Sequence, residues 1–365
     1  MRRPAFFEKP RSFFKTNPLT AVSGCVIIEK EIKSTKEQFH FAHLNHRKND
    51  AGQRLDKFLS KNFKTMPPAL MYKYIRLKKI KVNRKRAEQK TVLCEGDTVE
   101  LFIKEEFFEA VTPDNAYRRI TPKLTIVYED ENLILCDKKP GLIVHADDGE
   151  DVDTLINHIK AYLWQKGEYR PEEEHAFAPA LCNRIDRNTG GIVIAAKSAE
   201  ALRVINEKIR AGEIDKRYLC AAHGIFDKKQ GILRGYLKKD SATNTVSVFE
   251  KKTTNSRDVK EIVTEYTVLA ENPAADLSLC EVHLVTGRTH QIRAHLASIG
   301  HPLLGDGKYG INRDDRHGGY KYQALYSYKL TFAFRTPSSL DYLAGKTVEA
   351  DRGHIWFLRE FPGAE

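Results

Sequence analysis

Cysteine, methionine and tryptophan are scarce in this chain of 365 residues, at six, three and two copies. The cysteines, Cys25, Cys94, Cys136, Cys182, Cys220 and Cys280, are scattered and form no CxxC pair. Such scatter excludes a disulfide framework and fits small buried hydrophobes in a reducing compartment. No stretch approaches the ~20 apolar residues of a membrane span. Near the N-terminus "LTAVSGC" is weakly similar to a lipoprotein cleavage site. Its apolar part is shorter than the ~7–15 residues of a signal core, and Asn17-Pro18 interrupts the approach to it. The expected location is therefore the cytoplasm. No GxGxxG or GxxxxGK[ST] occurs, so neither a dinucleotide nor a P-loop site is expected.

Positive charge is what the chain has in excess. Sixty Lys and Arg stand against 49 Asp and Glu, a formal net charge of +11. The surplus is concentrated between Gly52 and Lys104, where fourteen Lys or Arg face five Asp or Glu. In the same segment Leu55, Phe58, Leu59 and Phe63 fall on one helical face. Met71, Tyr74 and Ile75 repeat that spacing after Pro67-Pro68, and Val99, Leu101 and Ile103 alternate as a strand. A small helix-helix-strand unit carrying this much charge suits an electrostatic footprint for phosphates, although a charge run is more often a solvated face. Its basic candidates are Arg54, Lys78, Lys79, Arg84 and Lys85.

The expected plan has four parts. Residues 1–48 are a flexible N-terminal extension, with the strand-like "KEQFHFAHL" near its end. Residues 49–110 are the basic unit, 111–123 a linker and 124–365 the main domain. From Leu124 on, strand-like runs such as "NLILCDKKPG", "IVIAAKS", "KRYLCAAHG" and "LSLCEVHLVTG" dominate. Helical patterns in "DTLINHIKAYLWQKG" and "SAEALRVINEKIRAG" fall between some of them. The grouping predicts an α+β domain on a mixed, mostly antiparallel sheet.

Three segments carry candidate chemistry. In "NRIDRNTGG" Asp186 lies between Arg184 and Arg187, ahead of a turn in which Asn188, Gly190 and Gly191 suit open or left-handed backbone. Asp186 either hydrogen-bonds that turn or is an ionised carboxylate kept charged by its arginine neighbours, able to act as nucleophile or base. In "VTGRTHQIRAHLASIGHP" Thr289 is placed to cap a helix with the apolar face Ile292, Leu296 and Ile299. Gly300 and Pro302 stop it, and Arg288, His290 and Arg293 lie near its N-terminal end. His290, His295 and His301 follow one another at i+5 and i+6, which puts no ligand pair on one face, so no metal is expected. In "DKRYLC" Tyr218 is either a core aromatic or a ring that stacks on a base or moves a proton.

Taken together, "IVYEDENLILCDKKPGLIVHADD", "NRIDRNTGGIVIAAKS", "DKRYLC" and "VTGRTHQIRAHLASIGHPLLGDGKYG" resemble the RluA-type family of RNA pseudouridine synthases. The stretches "AGQRLDKFLSK", "IRLKKIKVNRK" and "GDTVEL" resemble the alpha-L RNA-binding module of a ribosomal protein. The resemblance implies a pseudouridine synthase fold and isomerisation of uridine to pseudouridine in structured RNA, without metal or cofactor. Large-subunit ribosomal RNA is the first expectation and transfer RNA the second, for an enzyme acting as a monomer and away from membranes. It implies that Asp186 is the catalytic aspartate, Tyr218 the tyrosine on the target base that takes the C5 proton, and Arg293 the partner of the aspartate. Arg184 falls at an arginine that holds RNA, and Arg187, Arg288 and His290 join it as expected RNA contacts. One departure is Asn183, where the family usually has His. The rivals are a non-catalytic RNA-binding protein and a metal-dependent nuclease, for which the sequence offers no clustered carboxylates.

Overall fold

The computed structural model describes residues 39–45, 52–108, 116–145, 152–171, 177–240, 242–252, 258–310 and 312–363. They fall into two compact units, a smaller one within Met1–Thr112 and a larger one within Pro113–Arg170 and Phe177–Glu365. Most of the segment expected as a flexible extension lies outside the described residues.

In the smaller unit two helices, α1 (Leu55–Asn62) and α2 (Pro68–Arg76), accompany a four-stranded sheet. Its strands are β1 (Phe39–Asn45), β2 (Ile80–Val82), β3 (Lys85–Arg86) and β4 (Thr98–Lys104), in the order β1-β4-β2-β3. β1 arises inside the segment expected as an extension and pairs antiparallel along the whole of β4. Pro68 suits the first turn of α2, where its missing N–H costs nothing. The helical stripe Leu55, Phe58, Leu59, Phe63 and the strand residues Val99, Leu101 and Ile103 meet in one buried core with Met71, Tyr74 and Ile75. Tyr74 is thus consumed by packing, while Tyr72 stays exposed.

The larger unit is built on one mixed sheet of eleven strands among the described residues. They are β5 (Ile126–Glu129), β6 (Leu133–Lys138), β7 (Ala180–Leu181), β8 (Gly190–Ala196), β9 (Ile214–His223), β10 (Gln230–Asp240), β11 (Thr245–Phe249), β12 (Val259–Asn272), β13 (Leu277–Leu284), β14 (Leu325–Phe332) and β15 (Thr347–Glu349). The spatial order is β11-β10-β12-β13-β9-β14-β8-β6-β5, with β15 on β14 and β7 on β8. β14 and β8 run parallel, and the other described pairs are antiparallel. Helices α3 (Leu155–Gln165), α4 (Ala199–Arg210), α5 (Gln291–Ser298) and α6 (Asn312–His317) complete it. Thr154 and Ser198 cap α3 and α4, each accepting from a backbone N–H three residues on.

Alternate residues of the same strands feed two cores. Leu133, Leu135, Ile192, Ile194, Leu219 and Ala221 face one, with α4. Ile134, Cys136, Val193, Ala195, Tyr218 and Cys220 face the other, with α3 and α5. Both faces of the sheet centre are covered, which is why β8 reads as the unbroken run "GGIVIAA" rather than as an alternation. Tyr117 also packs into the second core, so the larger unit reaches back before Leu124. Cys136, Cys182, Cys220 and Cys280 are buried free thiols, and Cys94 is exposed. No described helix is long and apolar enough to cross a membrane.

Candidate active site

Asp186 sits in the loop that leads into β8, one residue beyond Ile185, which is anchored in the core shared with α3 and α5. The turn after it closes through the backbone, Thr189 N donating to the Asp186 carbonyl at 3.1 Å. The side chain is therefore not spent on the turn. Nor do the flanking arginines hold it, which corrects the expectation from sequence. Arg184 is exposed, and Arg187 directs its Nε to the Gly141 carbonyl at 3.2 Å. Neighbours on an irregular chain segment point their side chains elsewhere, and the positive partner arrives from a distant helix. Arg293 Nη1 donates to Asp186 Oδ2 at 2.8 Å. Asn188 is not left-handed; in this turn region the positive φ belongs to Gly191, at 112°.

Arg293 lies in the first turn of α5 and is itself fixed. Its Nε and Nη2 donate to the two carboxylate oxygens of Asp306 at 2.7 and 2.8 Å. Asp306 is fully buried and also accepts from Lys308 N and Tyr309 N. Burial alone would depress the Arg293 guanidinium, but the bonds and charge of Asp306, then of Asp186, raise its pKa. The start of α5 differs from expectation. His290, not Thr289, is the N-cap residue, in left-handed backbone at φ 53° and without a side-chain cap bond. Gln291 does the fastening instead, its Oε1 accepting from Arg288 N and from Thr286 Oγ1. Ile299, expected on the apolar face, ends the helix exposed.

Two more groups face the carboxylate. His290 Nε2 is 3.7 Å from Asp186 Oδ2, and its Nδ1 is 2.9 Å from the Tyr309 hydroxyl. Burial lowers the pKa of this imidazole, and Arg293 and Lys308 add to the effect against Asp186. It is a neutral group turned to Asp186 at neutral pH, not the cationic RNA contact expected from sequence. Tyr218 is in β9, opposite Val282 of β13 and Ser327 of β14. Burial pushes its phenol up to about 12, with the charge of Asp186 adding to the shift and Ser327 opposing it.

Lys138 and Asn183 act through backbone. Lys138, 1% exposed, ends β6 and donates its Nζ to the carbonyls of Lys139, Leu142 and Arg187. It stitches the "KKPGL" turn to the residue after Asp186. Burial depresses the ammonium to about 7, while the charges of Asp186 and Asp137 work in the other direction. Asn183 Oδ1 accepts from Ile194 N at 2.8 Å, so this side chain pins the loop to β8. Sequence reasoning missed Lys138 and Asp306. Both stood inside the quoted segments, yet nothing local marks a lysine or an aspartate as buried.

The remaining expected RNA contacts are dispersed. Arg288 is exposed before α5. In the smaller unit Arg54 clasps Asp56 through Nε and Nη2, at 3.1 and 2.6 Å. Lys78, Arg84 and Lys85 are exposed around β2 and β3, and Lys79 lies over the rings of Tyr74 and Phe102. His295 bonds Thr264, and His301 stacks on Phe226. No group of three or more metal-ligating side chains occurs among the described residues.

Comparison with known proteins yields a family. Residues 132–298 match the family described as RNA pseudouridylate synthase. An uncharacterized RNA pseudouridine synthase of Mycoplasma genitalium is 31% identical over 316 residues, covering 85% of this chain and 95% of its own length. A ribosomal large subunit pseudouridine synthase C of Buchnera aphidicola is 30% identical, over 76% of this chain and 84% of that one. The Escherichia coli protein of the same name is 31% identical, over 73% and 79%.

Proposed function

The chain belongs to the RNA pseudouridine synthase family, and from that premise we propose that it converts uridines of large-subunit ribosomal RNA to pseudouridine with Asp186 as the catalytic carboxylate. Two relatives named ribosomal large subunit pseudouridine synthase C support the choice of substrate. Transfer RNA is the second substrate class.

The observation that carries the site is the relay Asp306–Arg293–Asp186, ending beside Tyr218. A carboxylate fixed by a guanidinium stays ionised when RNA displaces water, and its position is set before substrate arrives. The target uridine must leave its stack to reach it, at a cost of a few kcal/mol. The reaction breaks the bond between C1′ and N1 and forms one between C1′ and C5. N1 gains a proton and C5 loses one. Asp186 assists the first bond change. Tyr218, a neutral phenol at physiological pH, packs on the base and receives the C5 proton as its own is passed on. Arg184, Arg187 and Arg288 contact RNA around the flipped nucleotide, and the smaller unit serves as an alpha-L type RNA-binding module. The buried thiols suit a monomer working in the reducing cytoplasm.

The test uses the lost C5 hydrogen. Ribosomal RNA transcripts carrying tritium at uridine C5 are incubated with the protein, and tritium in water is counted. Wild type is expected to release it. Asp186→Asn is expected to bind RNA while release falls by about a hundredfold or more. Undiminished release by that variant would remove Asp186 from the chemistry. Release from transfer RNA transcripts alone would change the substrate.

A further inference from the structure

A second cavity, of about 440 Å³, lies on the larger unit, walled by residues that the proposed chemistry does not use. Its volume is in the ~300–1,000 Å³ range of small-ligand sites. Three of its rings are Tyr320, Tyr322 and Trp356, and three of its cations are Lys139, Lys321 and Arg359. The cations are exposed and the rings half-buried. Tyr320 and Trp356 are 5.8 Å apart at 34°. The Arg359 guanidinium is 5.7 Å from the first ring and 5.8 Å from the second, held by its Nε bond to Glu360. The remaining acid in the wall, Asp137, is buried and already bonded to the Tyr326 hydroxyl and to His354 Nδ1. It therefore does not repel an anion as a bare carboxylate would.

The cavity adjoins the catalytic turn. Gly141 exchanges hydrogen bonds with Arg187, its N donating to the Arg187 carbonyl and its own carbonyl accepting from Arg187 Nε. A Cβ on Gly141 would be 2.8 Å from the Tyr322 hydroxyl. Gln323, beside Tyr322, donates to Thr189 Oγ1 at 3.1 Å. Rings interleaved with cations are how proteins hold single-stranded nucleic acid, bases on the π-faces and phosphates on the charges.

We propose that this cavity binds an unpaired nucleotide neighbouring the target uridine, its base on the Tyr320, Tyr322 and Trp356 rings and its phosphate on Lys139 and Lys321. The identity of the polyanion as RNA rests on the pseudouridine synthase reading. Such a subsite reads strand flexibility next to the target and so contributes to target choice.

Trp356 reports on it directly. Trp164 and Trp356 are the two tryptophans of the chain, so Trp164→Phe in the full chain leaves Trp356 as sole emitter. Titration with the pentanucleotide U5 is expected to quench Trp356 saturably, and an RNA duplex to quench it far less. The double variant Lys139→Ala, Lys321→Ala removes exposed side chains and leaves the core untouched. It is expected to bind U5 at least about fivefold more weakly, with a salt slope shallower by about 1.4, at ~0.7 per lost phosphate contact on a single strand. Unchanged Trp356 emission, equal quenching by duplex, or wild-type affinity in the double variant would each overturn the inference. Tritium release is measured on the same preparations. Release without quenching defeats the subsite and leaves the enzyme reading intact; quenching without release does the reverse.

Discussion

Arg293 reaches Asp186 already committed to Asp306, and that prior commitment sets the geometry. Two of its nitrogens bind the buried carboxylate and a third is left to meet the catalytic one. Removing one partner of a buried ion pair costs about 3–5 kcal/mol, because the other charge stays behind unpaired. Asp306→Ala is expected to lose stability of that order in urea unfolding. Asp306→Asn keeps the shape and loses less stability, but Arg293 is no longer anchored. A misplacement of about 1 Å can cost a hundredfold in rate, so kcat should fall towards that while KM for RNA changes little. Burial would raise the pKa of Asp306, but Arg293 and two backbone N–H groups hold it below the usual carboxylate range. Its contribution to stability is therefore present at neutral pH and lost as pH falls through that depressed value. The stability of Asp306→Asn should accordingly depend less on pH below about 4, the ordinary carboxylate pKa; an acid limb as steep as wild type would deny Asp306 this role. At this scale the sequence made Asp186, Tyr218 and Arg293 legible through their motifs. Asp306 and Lys138 were not, because their partners are far along the chain or are carbonyls, and neither leaves a periodic signal. The two arginines beside Asp186 misled for the same reason, since nearness in sequence did not become contact.

Among the elements, the junction of β8 with β14 is the tightest. Tyr326 and Ser327 stand opposite Gly190 and Gly191 in parallel register. A Cβ on Gly190 would fall inside the Tyr326 ring, and one on Gly191 would lie 2.2 Å from the Ser327 carbonyl oxygen. Gly191 also has φ 112°, which L side chains rarely adopt. The glycine pair expected to serve a turn thus serves mainly as a place for two strands to pass closely. Gly191→Ala must push backbone apart at the mouth of the site. It is expected to cost more than about 2 kcal/mol by thermal or urea unfolding, and to lower activity in the fraction that folds. A variant as stable as wild type would mean that β14 can give way. Strands were readable from sequence where burial left a pattern. β8 showed an apolar run and β13 an alternation, whereas β10 has Gly231 and Gly235 inside it and an exposed Ile232. With Gly235 and Leu237 as its buried positions, β10 and its partner β11 had too little hydrophobic signal to be expected.

Charge is the property that belongs to the whole molecule. The formal surplus is +11, and the segment from Gly52 to Lys104, fourteen cations against five anions, holds +9 of it. Its framework is neutral in character, an apolar core of two helices and a sheet, so the charge is not needed for folding. Arg54 is spent on Asp56, but Lys78, Arg84 and Lys85 stand exposed and Lys79 lies over two rings at the same end of that unit. If these four cations meet phosphates, each releases counterions, and the slope of log affinity against log salt changes by about 0.9 per contact on duplex RNA-like backbone. Replacing Lys78, Lys79, Arg84 and Lys85 together by Gln should therefore flatten the salt dependence of ribosomal RNA binding by up to about 3. KM should rise, while tritium release at saturating RNA stays near wild type, because the relay from Asp306 to Asp186 lies wholly in the larger unit. A flattened slope with intact release would divide the labour of the two units, one holding RNA by its backbone and the other acting on a single base. An unchanged slope would make the basic face a solvated surface and leave RNA capture to the arginines around Asp186.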